Sequence, residues 1–323
     1  MATAENAKLE YEAGQAAVAM SALTDSGGAT VFTSAAATWS GRSGYAPVVR
    51  PDGLLTGGAI TPAVTNNVVN VAALTCNLAG VVTSVAGAPV TITRPAGNVA
   101  KVISITVNSS GALAAVAGTD GVSAAFSETR AAAGGPPLIP VGSIEIGQVR
   151  VTTSTAAVVA SAQIYAVPGL HVERADFPLH DINYTKGQVE FLAALPKIHT
   201  GTLPKGVFAS YASPIFAEVD SSDFVPPETS HSVSSTQIYG RTIGATSSTL
   251  GQGSFTAYLA NGVSDGFVAL KNETLWFRFY PDRYQSAYIL AQGKLGISRT
   301  FPAGDQIQAA ATISASEPAI EVA

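Results

Sequence analysis

Charge is what this chain has least of. Only 12% of its 323 residues are Asp, Glu, Lys or Arg, where a globular protein carries about 25%. With 47% hydrophobic residues, that excludes a disordered chain, which needs high charge and little apolar mass. So little surface charge also points to wide surfaces buried against other subunits. Cysteine is nearly absent: Cys76 stands alone, which excludes an intrachain disulfide framework and any Cys-rich zinc site. There is no uninterrupted apolar run of about 18 residues, so no membrane-spanning helix is expected. The start, MATAENAKLEYEAG, lacks the basic and apolar regions of a signal peptide, and the expectation is a protein made and kept in the cytoplasm. Basic residues are outnumbered 17 to 22, for a net charge of −5. That argues against a nucleic-acid reader, which needs clustered Lys and Arg to neutralise phosphate.

Aromatic residues are missing from one long stretch. None occurs from Ala46 to Ala125, and between Gly53 and Thr119 the only charges are Arg94 and Lys101. By contrast, 18 of the 24 aromatic residues follow residue 170. At roughly 150 residues per domain the length suggests two domains, and the composition places them at 51–167, with small side chains throughout, and 168–323, with an aromatic core. Residues 1–50 are either an N-terminal arm or part of the second module's core, in which case the small-residue module is an insertion or an outward decoration.

Both modules read as β. In the first, Asn67–Leu74, Gly80–Val85, Pro89–Thr93, Val99–Val107, Ala112–Val116, Ile144–Thr152 and Ala157–Ala166 are β-branched or small-residue runs between Gly, Asn, Ser and Pro clusters. An Ala-rich helix competes, but Gly87, Pro89, Pro95 and Gly97 interrupt it too often. ISITV (103–107) alternates with period two, as a half-buried strand does. Residues 134–140 form a stiff Gly/Pro loop. In the second module the strand candidates run from Val189 to Ala315. Among them TLWFRFY (274–280) puts Leu275, Phe277 and Phe279 on one face and Trp276, Arg278 and Tyr280 on the other, which suits a wall packed on two sides. A helix capped by Asp282 competes with a strand at 281–290. Leu9–Leu23 reads as a short helix, and 31–49 as irregular structure. Asp220–Ser235 is long, polar and Pro-containing, and reads as a loop or arm of the kind that carries function.

No catalytic set emerges. GVSDG (262–266) fits the G-x-S-x-G nucleophile elbow, but that chemistry needs a later His, and none follows His231; a β-turn is the better reading. His171, His180, His199 and His231 lack the local pairing of a metal site and read as hydrogen-bonding residues. Glu218, Asp220, Asp223 and Glu228 are spaced loosely like a cation loop but lack its Gly and bidentate Glu, so a solvated acidic loop is the better reading. The glycosylation sequons at Asn108, Asn183 and Asn272 mean nothing without secretion. No acid, base or nucleophile set, cofactor loop or metal site is expected, and the chain reads as a structural protein, not an enzyme.

From about Phe208 onward, the aromatic β module with its long polar loop, the TLWFRFYPDRY strand and turn, and the terminal AAATISASEPAIEVA resemble the major tail tube proteins of long-tailed, siphovirus-like bacteriophages. The resemblance implies an antiparallel β-sandwich or barrel tail-tube domain at 168–323, and an outer, immunoglobulin-like Ala/Gly/Val-rich β module at 51–167. It implies homohexameric rings stacked into a tube, the conduit for genome ejection, in a virion tail assembled in the bacterial cytoplasm. The implied partners are further copies of the chain and the tape measure, terminator and distal tail proteins. DNA passes through the lumen without specific binding, since six copies of a −5 chain repel phosphate. Subunit contacts are expected at Asp220, Asp223, Phe224, Glu228, Trp276, Phe277, Arg278 and Ile313, with the 220–235 segment reaching the next ring. A capsid decoration or tail-fibre protein is the alternative, and a secreted adhesin a more remote one.

Overall fold

The computed structural model describes residues 4–323. It is mainly β: twenty-five strands against one four-residue α-helix and two short 3-10 turns among the described residues, with antiparallel pairing at each described strand register. The chain forms two compact units. One comprises residues 4–17, 38–46 and 211–323; the other comprises 18–37 and 47–210. The second unit therefore lies between sequence segments of the first. The division at 210/211 differs from a boundary at 168 because the intervening chain pairs with earlier segments: Gln188–Phe191 with Val31–Thr33, and Val207–Ser210 with Val48–Pro51.

In the first unit a sheet runs in the order Ser221–Val225, Gly253–Leu259, Ile307–Ser314, Tyr288–Thr300, Thr274–Tyr280, Lys8–Ala22 and Val207–Val219, with Ile320–Val322 added beside the start of Tyr288–Thr300. Period-two alternation supplies one apolar face. Phe255 and Ala257 pair with Ala311 and Ala309, and Leu295 and Ile297 pair with Ile313 and Ala311; Leu259, Leu275 and Phe277 join them in one buried cluster. The other face is also covered. Trp276 is buried there, its indole Nε1 donating to the Trp39 carbonyl at 2.8 Å, and Trp39 stacks on Tyr211 at 4.6 Å. Segment 38–46 is thus the second layer over the TLWFRFY strand.

One helix expectation is corrected in this unit, and one open alternative is decided for the strand. Leu9–Leu23 lies largely in the strand Lys8–Ala22: Leu9 and Tyr11 alternate with Lys8, Glu10 and Glu12, and pair with Phe279 and Phe277, so a two-residue period wins over the alanines that follow. At 281–290, Asp282 accepts the Tyr284 N–H and closes a turn, and the chain continues as the strand Tyr288–Thr300.

The second unit is built from small sheets around a Val/Ile/Leu core that includes Val69, Val71, Ile103, Ile105, Val107, Ile144, Ile146 and Val149. The strand Lys101–Val107 sits between Leu113–Ala117 and Ile144–Val151 and is buried along its whole length. ISITV is therefore a central strand, not a half-exposed one; Ser104 and Thr106 are buried, and Ser104 donates to the Glu145 carboxylate. Residues 157–166 do not form the expected strand: they hold a 3-10 turn at Ser161–Gln163 and a two-residue strand at Ile164–Tyr165. Most of these Ala and Ser side chains are exposed, so they offer no apolar face to bind a sheet.

Candidate functional site

The most exposed regular element is a β-hairpin. Thr229–Ile238 and Arg241–Leu250 pair from Thr229 with Leu250 through Ile238 with Arg241. Gly240 supplies the left-handed φ of +87° at the turn, a conformation that costs glycine no Cβ clash. Thr, Val, Ile and Ser fill the strands, and Ser232 and Ser247 hydroxyls bond across them at 2.7 Å. Every residue of Thr229–Ile238 faces solvent. Val233 is 76% exposed, Ile238 40%, Ile243 45% and Tyr239 fully. The stretch Asp220–Ser235 is therefore not a loop but the short strand Ser221–Val225 and the first arm of this hairpin. The Arg241–Leu250 arm carries too many Gly, Ser and Ala residues to be recognised as a strand by its own composition.

The eight expected contact residues do not form one surface. Glu228 stands at the hairpin base, where its carbonyl accepts the Gly251 N–H at 2.8 Å. Asp220 and Asp223 are exposed, and Asp223 has a left-handed φ of 56° at the irregularity in the edge strand. Phe224 is half-buried and stacks on Phe279 at 4.6 Å. Arg278 is half-buried, paired with Glu10 at 3.2 Å, its guanidinium 3.6 Å from the Phe216 ring centre. Trp276, Phe277 and Ile313 lie inside the unit, at most 3% exposed, so their side chains offer no surface to a partner. Trp276 and Phe277 sit on opposite faces of Thr274–Tyr280, both of them packed, and Ile313 sits on the buried face of Ile307–Ser314, whose alternate residues are exposed.

GVSDG is a turn. The Asp265 carboxylate accepts the backbone N–H groups of Ala260, Asn261 and Gly262, and the Asn261 side chain accepts those of Val263 and Ser264. Ser264 is exposed and its hydroxyl accepts from the Asn261 amide.

The second unit holds a feature that the sequence reading did not pick out: a cavity of about 240 Å³ with ionisable side chains in its wall. Glu145 is buried, held by Arg130, Ser104 and Gln148. Glu173 Oε2 accepts the Glu145 N–H at 3.0 Å and lies 3.7 Å from His199 Nε2. Lys205 donates to the carbonyls of Arg174 at 2.5 Å and Phe177 at 2.9 Å. Arg150 grips Glu128 through both nitrogens, at 2.5 and 2.8 Å, with the Tyr165 ring 4.4 Å from its guanidinium. Burial pushes the Glu145 and Glu173 carboxyls up and Lys205 and His199 down. It pushes nearby Asp52 up to about 6. Glu145, Gln148 and Arg150 sit in IEIGQVRV; strict alternation parts Glu145 from the other two, but the strand carries an extra residue between Glu145 and Gly147 where it pairs with Ile105–Thr106, and this shift brings all three to the cavity. Among the described residues no group of three or more His, Cys, Asp or Glu is arranged to hold a metal ion.

No protein-family model matches the chain, and no curated protein matches it.

Proposed function

We propose that the chain is the tube subunit of a long-tailed phage tail, assembling into hexameric rings that stack into a conduit for the genome. The observation that carries this reading is the hairpin Thr229–Leu250. A two-stranded hairpin is marginal in water on its own, and this one holds Val, Ile and Tyr side chains out in solvent. A second copy of the chain that covers them removes both costs. The sheet ends on the short strand Ser221–Val225, and an unpaired edge is a template for joining another chain unless it is covered; closing a ring covers it. The low charge of the chain fits large permanent interfaces, and its acidic balance fits a lumen along which DNA slides. In this reading the tube wall is the sheet of the 211–323 unit.

The test is electron microscopy of the purified chain over a concentration series, with sedimentation of the same samples. Hollow sixfold rings or tubes are expected. Compact monomers or trimers at high concentration overturn the proposal and favour a decoration or fibre protein.

A further inference from the structure

We propose that the cavity in the second unit binds a small, neutral, polyhydroxylated molecule, such as a single sugar ring or a cyclic polyol of that size. The inference starts from charge pairing in the wall. Arg130 is matched by Glu145, Arg150 by Glu128 and Arg174 by Asp176, while Lys205 faces Glu173 and donates to two carbonyls. An entering anion or cation has to displace one of these partners and leave a buried charge uncompensated. A neutral ligand does not.

The wall nevertheless keeps hydrogen-bonding capacity of both kinds. Glu173 uses Oε2 on the Glu145 amide, and no hydrogen bond reaches its Oε1 among the described residues. Lys205 spends two of its three donors on carbonyls. A hydroxyl is donor and acceptor at once, so adjacent hydroxyls on a ring satisfy a carboxylate oxygen and an ammonium side by side. Apolar surface completes the wall. Pro136, Pro178, Pro196 and Ile198 line it, and Leu170 and Phe177 line it as well while remaining 67% and 54% exposed, which puts them at the mouth. Such surfaces pack against the C–H face of a sugar ring. The volume of about 240 Å³ lies just below the ~300 Å³ at which pockets for larger organic ligands begin, so the site holds one ring and excludes a chain of them. The inference depends on this cavity alone and stands apart from the tube reading.

The experiment is saturation-transfer NMR on the 323-residue chain with glucose, galactose, mannose, N-acetylglucosamine and inositol, with glucosamine and glucuronate as cationic and anionic probes. At least one neutral probe is expected to bind with Kd near or below about 1 mM, and its charged counterparts at least about tenfold more weakly. Leu170→Lys, at an exposed position of the mouth, is expected to weaken that binding at least about tenfold with an unchanged melting curve. Glu173→Gln is expected to weaken it too; should that variant fail to fold, Leu170→Lys decides. Binding by no neutral probe, equal or tighter binding of a charged one, or neutral binding indifferent to Leu170→Lys overturns the proposal.

Discussion

If the hairpin Thr229–Leu250 is the arm that joins subunits, its exposed apolar side chains set the strength of assembly. The perturbation is to replace four of them together: Val233→Thr, Ile238→Thr, Tyr239→Ser and Ile243→Thr. Burying one such side chain outright is worth ~1.5–3 kcal/mol. Scaled by exposures of 76%, 40%, 107% and 45%, the four offer about 4–8 kcal/mol per hairpin. A neighbour that covers half of that surface gains about 2–4 kcal/mol, and its loss raises the concentration needed for assembly about 30- to 700-fold. The threonines keep the β-branching that suits the strands. Because the four side chains face solvent in the single chain, unfolding stability is expected to stay within ~0.5 kcal/mol of the parent. Sedimentation velocity gives the assembly concentration and thermal melting gives the stability. Tubes at an unchanged concentration, with the substituted chain folded, refute the reasoning.

Further outcomes follow from the two units. Trp39→Ala removes a side chain with no exposure that stacks on Tyr211, and is expected to destabilise by ~3–5 kcal/mol in chemical denaturation; a loss under ~1 kcal/mol contradicts the view that 38–46 forms a packed layer. Asp52 binds its proton more tightly folded than unfolded, with a pKa of about 6 against an ordinary 3.8. Its contribution is therefore complete below the ordinary value and lost as pH rises through about 6, a span of order 2–3 kcal/mol. The raised carboxyls of Glu145 and Glu173 act in the same direction, while depressed Lys205 acts oppositely and at more alkaline pH. The lowered imidazoles of His171, His180 and His199 act oppositely below their ordinary 6.5, so the readout is the difference between two chains: Asp52→Asn, which keeps an acceptor for the Ala79 N–H, is expected to lose stability relative to the parent at pH 4 more than at pH 7, and an equal difference at both rejects it. Asp265→Ala is expected to lower the melting temperature by breaking three backbone hydrogen bonds, whereas Ser264→Ala leaves it unchanged, and the reverse order contradicts the turn.

What the sequence made legible was governed by local pattern. The strands around Ile103, Ile144, Phe255, Trp276 and Ile313 follow from β-branched and aromatic runs between Gly and Pro breaks, and Leu275 and Phe277 on one side with Trp276 on the other correctly implied a wall packed on both faces. Features that depend on distant segments were not legible. Residues 38–46 cover Trp276 across more than 200 positions of sequence, and no local signal marks them. Lys8–Ala22 resembles a helix until Leu9 and Tyr11 are seen beside Phe279 and Phe277. The ionisable wall of the cavity draws on Glu145, His171, Glu173 and Lys205, which converge only in the fold, although four charges or imidazoles so deep in a chain with so little charge were the available hint. The hairpin was not visible: its first arm fell in a polar stretch that reads as a loop or arm, and its second was hidden by Gly, Ser and Ala.

The most direct measurement of the central claim is cryo-electron microscopy of the chain at high concentration, with symmetry determined from the averaged particles. The account predicts sixfold hollow rings that stack into tubes, with the 229–250 hairpin of one subunit lying against another. Particles that remain monomeric or trimeric, or rings in which that hairpin stands free in solvent, contradict it.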